Sequence, residues 1–347
     1  MSPEPILVTG GAGYIGSHVC KALAKNGFLP ITYDNLSTGH AYAVKWGPFV
    51  EGDLNDSAKL NETLASYKPK AVMHFAASAL VIESMSDPGK YYRNNIGSTV
   101  SLLEAMRLAN IQPLVFSSTC ATYGNPVFSP LTEEHPQAPI NPYGRSKWMV
   151  EQILSDFESI YGLRAAKLRY FNAAGADLET EIGEDHHPET HLIPAIIHAA
   201  LDAKKEIVVY GTDFPTEDGS AVRDYIHVQD LAHAHILALK CLLSGGKSFD
   251  VNLGTGKGYS VLEIIEAVQT YCGKSLTVRL EQRRKGEPPA LVASAKKAKE
   301  LLGWEPLVSD LGTLIDSAWK WHKLLVENAT LLHNTLQRLE LKTCLPS

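Results

Sequence analysis

Short apolar runs alternate with helix-like stretches through the first half of the chain. Such runs, bounded by glycine and polar turn residues, are typical of strands buried in a parallel sheet. Five of them cover residues 5–9, 28–33, 49–54, 71–77 and 114–119. Apolar residues at helical spacing follow the first run, at Val19, Leu23 and Ala24. This alternation predicts an α/β fold.

Residues 176–227 are richer in charged, histidine and turn residues than the part of the chain that precedes them. We interpret that composition as a lid that faces a substrate. A helix that begins at Asp230, its expected N-cap, and a strand at 249–253 should return to the sheet of the first half. Helices are also predicted at 260–270 and 311–324, and residues 326–341 show helical periodicity that fits either a packing helix or a frayed tail.

The first apolar run leads into a glycine-rich turn, GGAGYIG at 10–16. Gly10, Gly13 and Gly16 permit a tight turn and a close approach of backbone to a pyrophosphate, which the next helix faces with unpaired N–H groups. Asp34 ends the second run, 18 residues after Gly16. A carboxylate there can accept hydrogen bonds from both hydroxyls of an adenosine ribose, which favours NAD over NADP.

Later strand ends also carry residues that suit a dinucleotide. Asp53 could reach an adenine amino group or could cap the next helix. Phe75, Ala76 and Ala77 end the fourth run, where small residues would allow close passage of the cofactor.

The predicted helix 88–109 carries Asn94 and Asn95, either of which could hydrogen-bond near a nicotinamide. Exposed polar positions on that helix are an equally good interpretation. His74 lies within a strand, so we interpret it as a packed, hydrogen-bonded histidine.

The clearest chemistry belongs to the next strand and helix. Tyr143 and Lys147 are four residues apart and share one face of a helix. Thr119 ends the fifth run 24 residues before Tyr143, and its hydroxyl could hydrogen-bond a reacting oxygen. A nearby ammonium and an oxidised nicotinamide would lower the tyrosine pKa, and a shift of about 3 units requires roughly 4 kcal/mol. We therefore predict an acid/base tyrosine beside a nicotinamide, in preference to a surface helix with a solvated lysine.

The bulk composition excludes several classes of protein. The net charge of −6 gives no sign of binding to nucleic acid or to an anionic membrane. No signal peptide is visible, and no apolar run approaches the roughly 18 residues that span a bilayer. Five cysteines lack metal-type spacing, which predicts free thiols in a reducing compartment and a cytoplasmic protein: Cys20, Cys120, Cys241, Cys272 and Cys344.

Two polar clusters have competing interpretations. Acids and histidines within 184–191 could bind a metal: Glu184, Asp185, His186, His187, Glu189 and His191. We favour ordinary loop polarity and no metal, because hydride chemistry needs no Lewis acid. Glycines within 254–258 lack the Walker spacing of a phosphate loop, so we predict a turn before the next helix.

Several phrases together resemble the extended short-chain dehydrogenase/reductase superfamily. They are TGGAGYIG at 9–16, Thr119, and the Tyr143/Lys147 pair. Longer phrases resemble the UDP-glucose 4-epimerase family within it: YDNLS at 33–37, SSTCATYG at 117–124, NPYG at 141–144, RYFNAAG at 169–175, GED at 183–185, HLIP at 191–194, YGTD at 210–213 and DGSAVRDYIHV at 218–228. The resemblance runs from about residue 5 to about residue 322.

The resemblance implies a Rossmann-type doubly wound parallel sheet that carries NAD, with a smaller C-terminal domain that binds a UDP-sugar. The expected NAD domain is 1–175 plus about 228–253, the UDP-sugar domain is about 176–227 plus 254–322, and 323–347 form a tail. It implies a homodimer as well. The activity implied is epimerisation at C4 of a UDP-hexose through a transient 4-keto sugar, with Thr119, Tyr143 and Lys147 as the catalytic group.

The resemblance also assigns binding residues. Those for the cofactor are Gly10, Gly13, Tyr14, Ile15, Gly16, Asp34, Asn35, Asp53, Leu54, Phe75, Ala76, Ala77, Asn95, Tyr143, Lys147 and Tyr170. Those for the substrate are Thr119, Phe171, Asn172, His191, Leu192, Tyr210, Arg223, Arg284 and Glu287. Among these, Asn172 and the two arginines would contact the diphosphate, since a guanidinium pairs well with phosphate oxygens.

Four positions depart from the family's best-known bacterial pattern. Thr119 stands where serine is usual, Ala79 where many members have lysine, and Glu287 where aspartate is usual. Leu291 falls where residue size decides whether bulky N-acetyl sugars enter. A UDP-pentose or UDP-N-acetylhexosamine 4-epimerase, a sugar-nucleotide 4,6-dehydratase, a net dehydrogenase and a redox-sensing binding module therefore remain alternatives.

Overall fold

The computed structural model describes residues 2–202, 206–284 and 286–343, with side chains as far as 328 in the last helix. Its strands are β1 (Glu4–Thr9), β2 (Phe28–Asp34), β3 (Phe49–Glu51), β4 (Ala71–His74), β5 (Pro113–Thr119), β6 (Arg164–Tyr170), β7 (Asn172–Ala174), β8 (Ile207–Tyr210), β9 (Val222–His227), β10 (Phe249–Leu253), β11 (Gly258–Ser260), β12 (Val278–Glu281) and β13 (Ala290–Leu291). Its helices are α1 (Tyr14–Lys25), α2 (Ser57–Tyr67), α3 (Val81–Ser86), α4 (Pro88–Tyr91), α5 (Ser98–Leu108), α6 (Pro142–Tyr161), α7 (Leu192–Leu201), α8 (Val228–Leu243), α9 (Val261–Cys272), α10 (Lys296–Leu302) and α11 (Leu311–Thr343).

The main sheet has seven parallel strands in the order β10-β6-β5-β4-β1-β2-β3. The chain builds outward from β1 in one direction and then from β4 in the other, which confirms the predicted doubly wound, Rossmann-type sheet. Alternate residues of β1 face opposite layers. Ile6 and Val8 belong to one buried cluster, with α1 and α8, whereas Leu7 belongs to the other, with α2, α5 and α6.

A smaller layer follows in the second half of the chain. Its strands pair around β9, with β11 and β13 on either side and β7 also bonded to β9, while β8 pairs with β12. A third apolar cluster joins α7, α9 and the start of α11, through residues such as Ile196, Ile265 and Leu314. By contrast, β10 pairs with β6, so residues 249–253 belong to the main sheet as expected.

Several local predictions differ from the structure. The helix expected at Asp230 begins earlier, at Val228, and its N-cap is His227, whose side chain accepts a hydrogen bond from Gln229 N. The Asp230 carboxylate instead accepts hydrogen bonds from the Leu307 and Val308 amides at 2.9 and 3.0 Å, a long-range contact that no local pattern reveals.

Two helices are also more extended or less regular than predicted. The last helix does not end at 324 but continues to Thr343. The predicted helix 88–109 is present as α4 and α5, joined by a π-helical turn at Tyr92–Gly97. The last four residues of the expected tail, 344–347, with Cys344, lie outside the described residues.

The other four cysteines, Cys20, Cys120, Cys241 and Cys272, are free thiols, as predicted. Among the described residues, no helix is both long and apolar enough to cross a membrane.

Candidate active site

The end of β5 and the start of α6 bring the predicted catalytic residues to one place. Asn141 caps α6 by accepting a hydrogen bond from Gly144 N at 2.8 Å. A Cβ on Gly144 would lie 2.4 Å from the Ala121 carbonyl oxygen, so only glycine lets the helix begin directly against the turn after β5. This close packing places Tyr143 beside Thr119.

Burial is the main influence on the pKa values of Tyr143 and Lys147 in the protein alone. In the protein alone, burial raises the pKa of Tyr143 to about 12, although a hydrogen bond with Thr119 lowers it. Burial lowers the pKa of Lys147 to about 7, and its Nζ donates to the Ser117 carbonyl oxygen at 2.9 Å. Lys147 is buried, which rules out the solvated lysine of a surface helix. Burial dominates the Tyr143 pKa in the protein alone, whereas the lowering that we predict also depends on the positive charge of an oxidised nicotinamide.

A buried ion pair behind the catalytic residues escaped the sequence analysis. Arg169 Nη2 lies 2.7 Å from Glu151 Oε2, and both side chains are almost fully buried. Ser118 donates to Glu151 Oε1 at 2.5 Å, so the pair joins α6 to both β5 and β6. The available signal was spacing: Glu151 follows Lys147 by one helical turn and therefore lies on the same buried face.

The glycine turn forms a cradle between the carboxyl ends of β1 and β4. Gly10 has φ +72°, and a Cβ there would lie 2.5 Å from Ala76 N. A Cβ on Gly16 would lie 2.1 Å from the Gly10 oxygen, so packing within the protein requires both glycines. Gly13, the N-cap of α1, differs, because its Cβ would come no closer than 3.4 Å. Space thus remains in front of the α1 N-terminus, at the crevice where doubly wound sheets bind ligands.

Asp34 and Asp53 lie near the edge of this cradle. Asp34 accepts hydrogen bonds from Ala12 N at 3.0 Å and Leu36 N at 2.8 Å, yet burial raises its pKa. Asn35 Nδ2 donates to Asp53 Oδ2 at 2.8 Å, which places these two predicted residues together.

The alternative that Asp53 caps the next helix is wrong. Asp56 is the N-cap of α2 and accepts a hydrogen bond from Lys59 N at 3.0 Å. Asp53 instead accepts from Asn55 N, and that bond is the main reason why the pKa of Asp53 is lowered.

Two predicted cofactor residues make long-range hydrogen bonds. Asn95 accepts from Ser78 N at 2.8 Å and donates to Ser146 Oγ at 2.9 Å, so its amide ties the loop after β4 to α6. The Tyr14 hydroxyl donates to the Gly175 carbonyl oxygen at 2.6 Å. These contacts fix the loop after β4 against α6, and the start of α1 against the end of β7.

The remaining predicted cofactor residues are buried or half-buried. Ile15 and Phe75 pack against one main core cluster, whereas Leu54 and Ala76 pack in the other, and Ala77 is half-buried. The Tyr170 hydroxyl is hydrogen-bonded to Ser117 Oγ.

The structure confirms our interpretation of His74 as a packed histidine. Its ring nitrogens lie 2.7 Å from Thr9 Oγ1 and 2.8 Å from Thr99 Oγ1, and burial lowers its pKa to about 3.

Two of the predicted substrate residues are arginines. Arg223 Nη2 lies 3.2 Å from Glu287 Oε1, and Arg223 also acts electrostatically on Cys120, the neighbour of Thr119. The guanidinium of Arg284 stacks on the Tyr210 ring, 3.5 Å from its centroid. Guanidinium groups held over a ring or beside one carboxylate keep donors available for phosphate oxygens.

Apolar residues pack near Arg223 and Cys120. Phe171 and Leu291 are buried in one cluster with Cys120, and Leu291 is opposite Arg223 in the pairing of β13 with β9. Asn172 follows Phe171 and begins β7, where it pairs with Tyr225.

Two predicted substrate residues occupy a different environment. His191 Nδ1 lies 2.8 Å from Glu184 Oε1 and 3.0 Å from Glu189 Oε1. Leu192 begins α7 and packs against the third core cluster. The His191 side chain is thus occupied within its own loop.

The second glycine cluster is a turn before a helix, as predicted. The Thr255 and Gly256 amides donate to the Asp224 carboxylate at 2.8 and 3.0 Å. The turn therefore encloses a protein carboxylate, and α9 follows with Ser260 and Glu263 as a capping box.

Comparisons with known proteins agree with this fold. The family model described as "NAD dependent epimerase/dehydratase family" matches residues 6–254. The UDP-glucose 4-epimerase of Rhizobium meliloti (strain 1021) is 52% identical over 322 residues, which cover 93% of this chain and 98% of that protein.

Solved structures are similar over the same span. The UDP-glucose 4-epimerase from Brucella ovis in complex with NAD has a TM-score of 0.89 and 53% identity, with 91% of this chain and 98% of that chain covered. The one from Stenotrophomonas maltophila, with bound NAD and formylated UDP-arabinopyranose, has a TM-score of 0.90 and 39% identity, with 94% and 99% covered. The chain belongs to the NAD dependent epimerase/dehydratase family.

Proposed function

We propose that this protein is an isomerase that interconverts UDP-glucose and UDP-galactose by NAD-dependent epimerisation at C4. The observation that carries the proposal is that Thr119, Tyr143 and Lys147 meet at the carboxyl end of β5, on the edge of the parallel sheet where β1 leads into the glycine cradle. Neither a cradle nor a Tyr/Lys pair alone would specify the reaction, because the same fold carries many activities.

The residues present fit NAD. The open space before Gly13 and the α1 N-terminus suit a pyrophosphate, and Asp34 at the end of β2 suits the adenosine ribose. Asp53 with Asn35 would hold the adenine side, and Tyr143, Lys147 and Tyr170 the nicotinamide side. When bound, NAD supplies the acceptor and donor of hydride for sugar C4.

The chain's own residues handle the proton. Tyr143 takes the proton of the sugar 4-hydroxyl and later returns it, while Thr119 hydrogen-bonds the same oxygen. A phenol with a pKa of about 12 is almost fully protonated near pH 7 and cannot accept a proton in that form, so positive charge beside it must favour the phenolate. Lys147, held against the Ser117 carbonyl one turn along α6, is placed to supply part of that charge and to hold the nicotinamide ribose.

The UDP moiety must stay fixed while the 4-keto sugar rotates within the site. Arg223, Arg284 and Asn172 would hold the diphosphate, with Glu287 on the ribose and Leu192 and Tyr210 beside the uracil. The bound UDP-sugar of the Stenotrophomonas relative supports a UDP-sugar substrate here. Rotation of the 4-keto sugar then presents its opposite face to the same cofactor and the same tyrosine.

The division into domains and the assembly belong to the same proposal. We assign NAD to the unit formed by 1–175 and about 228–253, and the UDP-sugar to about 176–227 and 254–322. A homodimer and a cytoplasmic location remain predictions, which size-exclusion chromatography with light scattering and cell fractionation would test.

A 4,6-dehydratase is the less favourable alternative. That reaction needs an acid and a base beside the threonine, and Thr119 is followed by Cys120. Burial raises the pKa of the Cys120 thiol to about 12, which makes it unsuitable for proton transfer near neutral pH.

The proposal is tested by offering purified protein each UDP-sugar without added cofactor and identifying the products. We expect interconversion of UDP-glucose and UDP-galactose with no accumulation of reduced nicotinamide. Parallel reactions with the N-acetyl and pentose forms would measure what Leu291 admits. A 4-keto-6-deoxy product, net formation of reduced cofactor, or no conversion of any UDP-sugar would each reject the assignment.

A further inference from the structure

The loop between β7 and α7 gathers four metal-ligating side chains outside the catalytic group. One ligand atom from each of Glu184, His186, Glu189 and His191 lies within 4.8 Å of all the others. His191 Nδ1 is 2.8 Å from Glu184 Oε1 and 3.0 Å from Glu189 Oε1. His186 Nδ1 is 3.3 Å from Glu184 Oε1 and 3.8 Å from Glu189 Oε2.

Two of these atoms are buried without a hydrogen-bond partner in the part of the chain that the structure describes, Glu189 Oε2 and His186 Nδ1. The Glu189 side chain is only 6% exposed, and this oxygen faces the cluster. An unpaired buried carboxylate oxygen is costly, so a native protein normally gives it a partner.

A second acidic group in the same loop provides a contrast. Asp177, Glu179 and Glu181 surround Lys21, whose Nζ lies 2.8, 2.6 and 2.5 Å from their oxygens. The cluster of Glu184, His186, Glu189 and His191 has no comparable cation. Among the described residues, no lysine or arginine forms an ion pair with Glu184 or Glu189.

We propose that Glu184, His186, Glu189 and His191 bind one divalent cation of the zinc class. With bonds of about 2.0–2.2 Å, tetrahedral geometry places neighbouring ligand atoms about 3.3–3.6 Å apart. The separations given above extend from 2.8 to 3.8 Å and bracket that range. Two imidazole nitrogens and two carboxylate oxygens are a suitable ligand set for Zn²⁺, and two carboxylates balance its charge. The geometry thus favours the metal interpretation that our sequence analysis had placed second.

The site is structural, because four protein ligands leave no open position for a substrate. Its surroundings indicate what it stabilises. Trp321 Nε1 donates to the Glu184 carbonyl oxygen at 2.8 Å, and His40 Nε2 lies 2.9 Å from the Asp185 carbonyl oxygen. A cation here would fix the loop that precedes Leu192 and α7 against α11 and the loop after β2.

Metal content and binding test the proposal independently of catalysis. Tag-free protein from zinc-supplemented medium should contain about one zinc per chain by mass spectrometry. Protein stripped with a chelator should show a lower thermal midpoint that Zn²⁺ restores. After reloading with Co²⁺, it should show the visible absorption bands of a tetrahedral site.

A neighbouring pair of histidines gives the matched control. His186→Ala should bind Zn²⁺ at least about 10-fold more weakly, since even outer-shell changes cost that much. His187→Ala removes an exposed imidazole outside the cluster and should bind normally. Glu189→Gln, which is isosteric, provides a second variant if His186→Ala folds poorly.

The competing account is that protonated imidazoles pair with the carboxylates without a metal. Trace metal only, no response to Zn²⁺ or Co²⁺, or equal Zn²⁺ binding by the His186 and His187 variants would establish that account and overturn ours. An inactive protein that still binds one zinc would reject the proposed function and leave this site intact.

Discussion

At the scale of single residues, the proposed chemistry depends on a phenol that the protein alone makes less acidic. Burial raises the pKa of Tyr143 to about 12, and Lys147 is held close by but bonded to the Ser117 carbonyl. Tyr143 and Lys147 were predictable from their local spacing, and Thr119 from its position at the end of an apolar run. The effect of burial on the tyrosine pKa was not predictable, since it depends on how much protein surrounds the phenol.

Tyr143→Phe should abolish most turnover with little loss of folding. It removes the only group assigned to proton transfer, and such groups contribute about 10²- to 10⁴-fold in rate. The measurement is turnover of UDP-galactose, with bound NAD content and thermal midpoint as controls. Unchanged turnover in a folded, NAD-loaded variant would refute the role of this tyrosine.

At the scale of elements, α6 is fixed at two points. Its first turn packs through Gly144 on the turn after β5, and its middle is tied to β5 and β6 by Glu151. Strand positions were largely predictable from apolar runs. The Glu151–Arg169 pair was missed because the spacing of Glu151 from Lys147 indicates a shared buried face but not the partner. The contacts of Asp230 were missed because Leu307 and Val308 lie far away in sequence.

Glu151→Ala should lower the free energy of unfolding by about 3–5 kcal/mol, because it leaves the buried Arg169 charge largely uncompensated. Urea denaturation measures the change. Glu158→Ala, an exposed position on the same helix, should remain within about 0.5 kcal/mol of the wild type. Equal stability of the two variants would show that the buried pair contributes little.

At the scale of the whole molecule, two layers meet around the cradle and the loop that leads to α7. The doubly wound sheet was predictable from alternating strands and helices, together with the glycine turn. The continuation of α11 to Thr343 was left open, since helical periodicity alone fitted a tail as well as a helix. Both layers contain buried histidines. Burial lowers the pKa to between about 3 and about 4 for five of them: His18, His74, His227, His235 and His322.

This set predicts acid lability. Below about pH 6.5 these histidines become protonated in the unfolded chain but stay neutral in the folded protein. The free energy of unfolding therefore falls as the pH drops from about 6.5 to about 4. His235→Phe should remove up to about 3 kcal/mol of that loss, because its pKa is about 4 in the folded protein.

Chemical denaturation at pH 7 and pH 5 measures the effect. His233→Ala, an exposed histidine on the same helix, should leave the pH dependence unchanged. A His235→Phe variant with the slope of the wild type would contradict the assignment of a neutral, buried imidazole.

The most direct test follows the hydrogen at C4. UDP-galactose that carries deuterium at C4 is incubated in ordinary water with the purified protein and no added cofactor, and the product is examined by NMR and mass spectrometry. Because hydride leaves and returns within one closed site, we predict UDP-glucose that keeps its deuterium at C4. Product that has gained hydrogen from solvent at C4 would contradict hydride return, and so would the absence of any UDP-glucose.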